Sequence, residues 1–570
     1  VYCMNAFDIY NIWKEKVTDP SLRSELESID GNENEIVARF TAPMSFGTAG
    51  LRSIMGAGIS RMNIYTVAQA TQGLAELIRQ ENAADKGVAI AHDSRNNSRL
   101  FAEISARVLA ANGITVYLFD SLRPTPELSF AILELGCISG INITASHNPK
   151  EYNGYKVYWS DGAQHPPEHA AVVCEKIAGC DMFSVPMAEL GDKHIHVIGS
   201  EIDEKYIDAV LGCVIDRDAL KEFGNSLNLV YTPLHGTGYR LVPEAMRRAG
   251  ISNLTVIPEQ AVPDGNFPTV ASPNPENKPC FKMALDYIEQ HNMPTDVVVA
   301  TDPDGDRLGV AVKKPSGEFI ALSGNQIGAL LVSYIIGARR SIGRLPENAC
   351  AIRSIVSSPL FDTICRDNGV EPVCVLTGFK YIGEKIKEYA VDGSHTFIFG
   401  YEESQGFLSG GYVRDKDGVA AALLIAEAAA HYKSFGKSLY EALYDIYDKY
   451  GWAKETILNI KIEGALPMQE MSAKMAALRA SPFKTICGTD VARIRDYAAG
   501  TVRDIKTGAV TSTGLPKSDM LFFELSDGSN VIIRPSGTEP KIKIYIQANG
   551  ADSVEVDQKL DTLAAFKYFG

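Results

Sequence analysis

The chain has 570 residues, 45% of them hydrophobic and 22% charged, a balance ordinary for a folded cytosolic protein. That length exceeds one ordinary core and predicts roughly three to five domains. A net charge of −15 disfavours nucleic acid or an anionic membrane as the main partner, because both require a basic face. An anionic small substrate stays open, since a local Arg and Lys cluster can sit inside an acidic shell.

The first residues, "VYCMNAFDIYNIWKEKV", place Asp8, Lys14 and Glu15 early and contain no long apolar core, so they do not read as a signal peptide. No apolar run reaches the ~18 residues of a membrane-spanning helix. Ten cysteines are scattered without a CxxC pair, Cys174 and Cys180 being the closest two, as expected of reduced thiols. A cytoplasmic location is expected.

From residue 87 a repeated strand–helix grammar sets in. "GVAIAHDSR" gives a short apolar strand over Val88–Ala91 and a polar loop. "SRLFAEISARVLAANG" then places Leu100, Phe101, Ile104, Val108 and Leu109 on one helical face, with Ser98 as N-cap and Gly113 as the stop. "ITVYLFD" is the next strand. A second unit reads "LNLVYTPLHGTGYRLVPEAMRRAGISNLTVI" and then "DVVVATDPDGDRLGVAV". A third reads "NACAIRSIVSSPLFDTICRDNGVEPVCVL" and then "HTFIFGYEESQGF". Short apolar strands alternating with helical stretches of about a dozen residues predict parallel-rich α/β sheets. The tail differs: "DMLFFELSDGSNVIIRPSGTEPKIKIYIQANG" reads as strands split by turns, and "SVEVDQKLDTLAAFKYFG" as a helix. The predicted fold is α/β, three successive mixed-sheet α/β domains (1–200, 201–321, 322–444) and a C-terminal α+β domain (445–570) around one central cleft.

Each unit ends a strand in a loop rich in reactive groups, and open α/β sheets gather ligands at the carboxyl ends of their strands. In "GINITASHNPKEYNGYKVY", residues 140 to 158, Ser146 follows a strand-like run, with His147 beside it and Lys156 after it. Most loop serines only cap or bond backbone. Side chains of neighbouring residues generally point apart, so His147 is a poor base for Ser146, and no GxSxG elbow surrounds it. A serine that carries a phosphoryl group needs cations instead. "TDPDGDR", residues 301 to 307, supplies a place for one. Asp302, Asp304 and Asp306 repel one another unless a cation sits among them, and hard oxygen ligands suit Mg²⁺. An Asp- and Gly-rich turn is the plainer alternative. An EF-hand is excluded, because Arg307 stands where glycine is required and Lys313 where a bidentate glutamate belongs.

"FGTAGLR" (46–52) and "RPSGTEPK" (534–541) each join glycine to a cation. In the second, Arg534 and Lys541 flank Ser536, Gly537 and Thr538, a phosphate cradle or simply a strand connection. "GYEESQGF" sets Glu402 and Ser404 two apart. On an extended chain both face one side and could grip vicinal sugar hydroxyls; a solvated acidic turn fits equally. "HPPEH" pairs His165 and His169, but Pro166 and Pro167 argue against a helical metal face.

Taken together, "TASHNP", "DPDGDR", "GYEES" and "RPSGTEPK", in this order across some 400 residues, resemble the phosphoserine, metal, sugar-binding and phosphate-binding loops of the α-D-phosphohexomutase superfamily, the phosphoglucomutases and phosphomannomutases. The match runs from about residue 44 to 548. "MSFGTAGLRSIMGAGISRMN" and "PDGNFPTVASPNPE" further resemble its longer phosphoglucomutase branch, which includes phosphopentomutases. The resemblance implies a four-domain enzyme, a monomer or weak homodimer, acting on sugar phosphates with Mg²⁺ as cofactor and glucose 1,6-bisphosphate as activator. It makes Ser146 the phosphorylated serine, holding Mg²⁺ with Asp302, Asp304 and Asp306. It assigns catalysis also to His147, to Lys156 in proton transfer, and to Arg52 and Arg307 in positioning phosphoryl groups. Glu402 and Ser404 would bind sugar hydroxyls. Arg534, Ser536, Gly537, Thr538 and Lys541 would hold the distal phosphate, with Lys380 in "TGFKYIG" and Lys416 in "VRDKDG" as further site residues. The activity implied is interconversion of glucose 1-phosphate and glucose 6-phosphate. Phosphopentomutase and phosphomannomutase are the alternatives within the superfamily. A metal-dependent sugar phosphatase and a non-enzymatic phosphosugar-binding protein are the alternatives outside it. One departure stands out: branches with "GE-x-SGH" carry a histidine where this chain has Gly406, after Gln405.

Overall fold

The computed structural model describes residues 5–47, 50–463, 466–536 and 540–569. The chain divides into two compact units, Val1–Gly324 with Gly383–Leu439, and Asn325–Ile382 with Tyr440–Gly570. The stretch 322–444 thus contributes residues to both.

The first unit contains two sheets. Six strands, β1 (Leu51–Ile54), β2 (Val88–His92), β3 (Val116–Phe119), β4 (Ser139–Ile143), β5 (Tyr152–Trp159) and β6 (Ile195–Ile198), form one in the order β1-β5-β4-β2-β3-β6. β2 is parallel to β3 and β4, and β3 to β6. β5 runs antiparallel to β4 and β1. The second sheet comprises β7 (Leu229–Thr232), β8 (Leu254–Val256), β9 (Val297–Thr301), β10 (Leu308–Lys313) and β11 (Phe319–Ala321), in the order β11-β10-β9-β7-β8. β7, β8 and β9 are parallel and the other two antiparallel. β2 ("VAIAH") and β9 ("VVVAT") are buried along their whole length, because helices cover both faces of a parallel sheet.

Helix Ile64–Gln80 starts with a capping box, the Asn63 side chain accepting from Thr66 N–H while the Thr66 hydroxyl accepts from Asn63 N–H. Helix Ser98–Ala111 departs from expectation. Its N-cap is Asn97, in the left-handed region at φ 64°, and the Ser98 hydroxyl turns away to donate to Asp93. Leu100 is 43% exposed and stands off the apolar face. Pro167 begins the helix Pro167–Gly179, since proline is tolerated at a first helical position. His165 and His169 therefore do lie together, with ring centroids 5.3 Å apart beside Trp159.

In the second unit, Ala349–Ser354 and Glu371–Val375 pair in parallel. The terminal sheet is wholly antiparallel, its strands Trp452–Lys461, Lys541–Gly550, Asn530–Pro535, Leu521–Leu525, Thr489–Asp496, Thr501–Asp504 and Val510–Ser512 lying side by side in that order. Helices Pro467–Ala480 and Ser553–Ala564 supply Met475 and Leu563 to its core. The α+β ending is as expected. Among the described residues no helix is long and apolar enough to cross a membrane, and the cysteines carry free thiols.

β4 has to approach helix Thr125–Leu135 closely: a Cβ on Gly140 would lie 2.3 Å from Ile132 Cδ1. Gly140→Val is expected to cost about 1–3 kcal/mol of stability by overpacking. A lower urea midpoint with an unchanged slope is the measurement.

Candidate active site

Ser146 sits three residues beyond β4, 3% exposed, in the left-handed region at φ 53°. That conformation costs a non-glycine residue of order 1–3 kcal/mol and persists only where neighbours impose it. Two do. The Thr144 hydroxyl accepts the Ser146 N–H at 2.8 Å, and the Arg95 guanidinium donates to the Ser146 carbonyl. The Ser146 hydroxyl then points at Asp302, donating to Oδ2 at 2.9 Å. The same turn corrects the expectation for His147: its Nδ1 lies 3.2 Å from Ser146 Oγ, because the left-handed residue folds adjacent side chains together. Burial, followed by the nearby Arg307 and Arg52 cations, pushes the His147 pKa well below its ordinary value, so the ring is neutral at pH 7.

β9 ends at Thr301 and delivers Asp302, Asp304 and Asp306, all buried, each with a carboxylate oxygen within 4.8 Å of the others. Asp302 Oδ1 accepts the N–H groups of Asp306 (3.1 Å) and Arg307 (3.0 Å). From β5, Lys156 reaches Asp304 Oδ2 at 2.7 Å and Asp306 Oδ2 at 3.6 Å. Lys416 reaches Asp306 Oδ2 at 3.1 Å and Asp415 Oδ1 at 2.9 Å. Thr125 donates its N–H to the Asp304 carbonyl (2.8 Å) and its hydroxyl to Asp304 Oδ2 (2.9 Å). Burial, reinforced by the other two carboxylates, raises the Asp302 pKa well above the ordinary range. Burial would raise Asp304 too, but the Lys156 ammonium and the hydrogen bonds it receives outweigh that and hold it low. Burial opposes charge on Lys416, yet Asp306, Asp415 and Glu402 raise its pKa on balance. Two further oxygens, Asp304 Oδ1 and Asp306 Oδ1, are buried and accept no hydrogen bond. Orphaned, clustered carboxylate oxygens fit a hard divalent cation.

Arg52 on β1 donates to Asn148 Oδ1 at 3.2 Å, and Arg307 is ion-paired with Glu276. Glu402 ends the strand Thr396–Glu402, which pairs antiparallel with Gly406–Leu408, Glu402 opposite Gly406. Residues 403–405 therefore form the hairpin turn, and Gln405 takes φ 63°. Glu402 and Ser404 do not share an extended stretch, so the same-side geometry expected for them does not apply. The turn is fixed beside the triple-aspartate loop, since Leu308 N–H donates to the Gln405 carbonyl at 3.0 Å. A Cβ on Gly406 would lie 2.1 Å from Lys416 Cδ, so the glycine opens the path by which Lys416 reaches Asp306.

Ser146, His147, Lys156, Arg52, Arg307, the three aspartates, Glu402, Ser404 and Lys416 all belong to the first unit. Lys380, Arg534, Ser536 and Lys541 belong to the second. There Lys380 Nζ lies 4.9 Å from the Tyr381 ring centroid. Arg534 is near the end of Asn530–Pro535, and Ser536 N–H donates to the Lys541 carbonyl at 2.9 Å, closing the connection to the next strand. Gly537 and Thr538 lie outside the described residues.

Five participants escaped the sequence reading: Asp93, Arg95, Thr125, Glu276 and Asp415. Asp93 and Arg95 had a usable signal, an acid and an arginine directly after the strand "VAIAH", at the same sheet edge as Ser146. Thr125 and Asp415 had none, since one hydroxyl or carboxylate in a loop is recognisable only once the loops meet.

Four profiles of phosphoglucomutase/phosphomannomutase match in succession: α/β/α domain I over residues 43–182, domain II over 204–317, domain III over 323–450 and the C-terminal domain over 474–562. A phosphoglucomutase of Staphylococcus aureus strain bovine RF122 / ET3-1 is 35% identical over 567 residues, 98% of this chain and 99% of its own length. The fold is shared with parafusin (phosphoglucomutase) from Paramecium in its open form, at TM-score 0.66 and 19% identity over 92% of this chain and 93% of that one. It is shared too with a phosphoglucomutase/phosphomannomutase family protein from Burkholderia thailandensis, at TM-score 0.65 and 18% identity over 91% and 96%. With all four domains in order and a full-length relative at this identity, the chain belongs to the phosphoglucomutase/phosphomannomutase family and is a mutase, an isomerase-class phosphotransferase.

Proposed function

We propose that this mutase interconverts glucose 1-phosphate and glucose 6-phosphate through a phosphoryl group carried on Ser146 and a glucose 1,6-bisphosphate intermediate. The observation that carries the reading is the hydroxyl of a left-handed, buried serine held 2.9 Å from a carboxylate of the triple-aspartate loop. Glucose is favoured over mannose and pentoses by the full-length identity to a protein named phosphoglucomutase.

In the forward direction, the free hydroxyl oxygen of glucose 1-phosphate attacks the phosphorus on Ser146. The bond from phosphorus to Ser146 Oγ breaks, the hydroxyl gives up its proton, and Oγ takes one. The bisphosphate turns over, and its other phosphoryl group returns to Oγ by the reverse exchange. Lys156, already beside Asp304, is the group proposed to move the proton. Neutral His147, with Nδ1 at 3.2 Å, keeps Ser146 Oγ hydrogen-bonded between transfers. Arg52 and Arg307 offer fixed cations to phosphoryl oxygens. Asp302, Asp304 and Asp306, with the Ser146 phosphate, would hold Mg²⁺, which when bound neutralises the charge of the transferring group. Glu402 and Ser404 are proposed to read sugar hydroxyls in either orientation. The distal-phosphate role is proposed for Lys380, Arg534, Ser536, Gly537, Thr538 and Lys541, and a further phosphate contact for Lys416. Division at residues 200, 321 and 444 and a cytoplasmic location belong to the same reading.

With Mg²⁺ and a trace of glucose 1,6-bisphosphate, glucose 1-phosphate is expected to turn over faster than mannose 1-phosphate or ribose 1-phosphate, with little free phosphate released. Inorganic phosphate appearing as fast as isomerised sugar would instead identify a phosphatase. Ser146→Ala removes the covalent carrier and is expected to lower kcat by roughly 10⁴–10⁶-fold; near-normal turnover would refute the mechanism. Asp304→Asn is expected to weaken Mn²⁺ or Mg²⁺ binding by at least about 10–100-fold, measured by calorimetry without substrate.

A further inference from the structure

We propose that Arg95 is a positioning residue for phosphoryl transfer, a buried guanidinium that holds Ser146 in its left-handed conformation and is itself clamped by Phe267 from the loop after β8. The inference rests on Ser146 being the phosphoryl carrier.

Arg95 lies two residues after Asp93, in the loop that leaves β2, and is 3% exposed. Nη2 donates to the carbonyls of Ser146 and Asn148, and Nη1 to those of Pro149 (2.9 Å) and Tyr152 (3.1 Å). Four backbone carbonyls of one loop thus converge on a single planar cation. Only a rigid fork of donors can satisfy them together; a lysine ammonium presents one compact charge. Nε lies 3.2 Å from Asp93 Oδ2. Asp93 also receives the Thr144 hydroxyl on Oδ2 at 2.6 Å, and that hydroxyl accepts the Ser146 N–H. The backbone of Ser146 is therefore gripped on both sides from one source, its N–H through Thr144 and Asp93, its carbonyl through Arg95.

The free face of the guanidinium is covered by Phe267, whose ring centroid is 5.0 Å from Arg95 Cζ. Phe267 is itself left-handed, at φ 46°, and 3% exposed. A bulky aromatic in that region is strained, and its surroundings enforce it. His235 clips both ends of its loop, with Nδ1 2.9 Å from the Val262 carbonyl and Nε2 2.9 Å from Thr269 Oγ1. Gly265 lets the loop close on the Arg95 turn, since a Cβ there would lie 2.3 Å from Asn96 N. This gives "PDGNFPTV" a purpose: it fixes the arginine that fixes the serine.

The test follows the protein labelled at Ser146 with ³²P from glucose 1,6-bisphosphate, with a phosphopeptide map of the site, in single turnover. For Arg95→Lys, transfer to glucose 1-phosphate is expected to slow by about 100-fold, as for a misplacement near 1 Å, while KM stays within about threefold. Loss of label to water should change far less, so the ratio of transfer to hydrolysis falls. Guanidinium ion should raise the transfer rate of Arg95→Ala in proportion to its concentration and leave Arg95→Lys unmoved. Phe267→Leu, which keeps an apolar cover of smaller area, should slow transfer several-fold at unchanged KM, and it carries the test with Arg95→Lys if Arg95→Ala does not fold. Wild-type transfer in folded Arg95→Lys and Phe267→Leu would overturn the proposal. Label mapping to a residue other than Ser146 in the wild type would instead remove the carrier assignment, and this proposal with it.

Discussion

Three carboxylates taken out of water within 4.8 Å of one another are the constraint around which the first unit is arranged. At that distance, each ionised pair repels by about 3 kcal/mol at an effective dielectric near 20, and each buried charge forfeits hydration worth several more. No single element can offset this, so the counter-groups come from all around. Lys156 arrives from β5, Lys416 from the loop after the Gly406–Leu408 strand, and Thr125 from the start of helix Thr125–Leu135. That helix turns its first N–H onto the Asp304 carbonyl, placing the positive end of its dipole at the carboxylates. The triad is thus one place where groups of the first sheet's loops bind those of the second. The same neutralisation serves chemistry, since a phosphoryl group can approach carboxylates only where cations already stand among them.

The parallel cores of the two sheets explain where the groups meet. β2 and β4 run the same way and end side by side, so Asp93, Arg95 and Ser146 emerge at one edge. β7 and β9 do the same in the second sheet with His235 and Asp302. Backbone strain gathers at these ends. Among the described residues, nine non-glycine residues have positive φ, and five of them, Ser146, Leu234, His235, Phe267 and Gln405, lie in these loops or the turn that abuts them. Three of the remaining four, Asn82, Asn97 and Asn292, are asparagines, which adopt that conformation at little cost. The bulky, costly cases sit in the loops at the strand ends, around the triple-aspartate cluster.

Much of this was legible in the sequence because the loops carry their chemistry in consecutive residues. "DPDGDR" needs no fold to announce a triple carboxylate, and "TASHNP" follows a readable strand. What was not legible depended on distance or on φ. Ser146 and His147 were expected to diverge, which holds for extended and helical chain and fails for a left-handed residue. Glu402 and Ser404 were expected on an extended segment, and the hairpin turn at 403–405 removes that alternation. Arg95 is one arginine among many until the four carbonyls of the 146–152 loop are seen to share it. Leu100 matched the helical period yet faces outward, because periodicity fixes a stripe and not its edges.

Gly406 shows how a departure from a motif can be a consequence of packing. Read alone, a glycine where other branches have histidine looks like a lost function. In space, a β-carbon at 406 and the Lys416 stem exclude each other, with 2.1 Å between them. In this chain a side chain at 406 and the present path of the Lys416 stem cannot both be kept. The charge beside Asp306 is then delivered by a residue ten positions later in the sequence, through a gap that only the absence of a side chain provides. Letter by letter the glycine reads as a deletion; in space it is the gap through which a cation reaches Asp306.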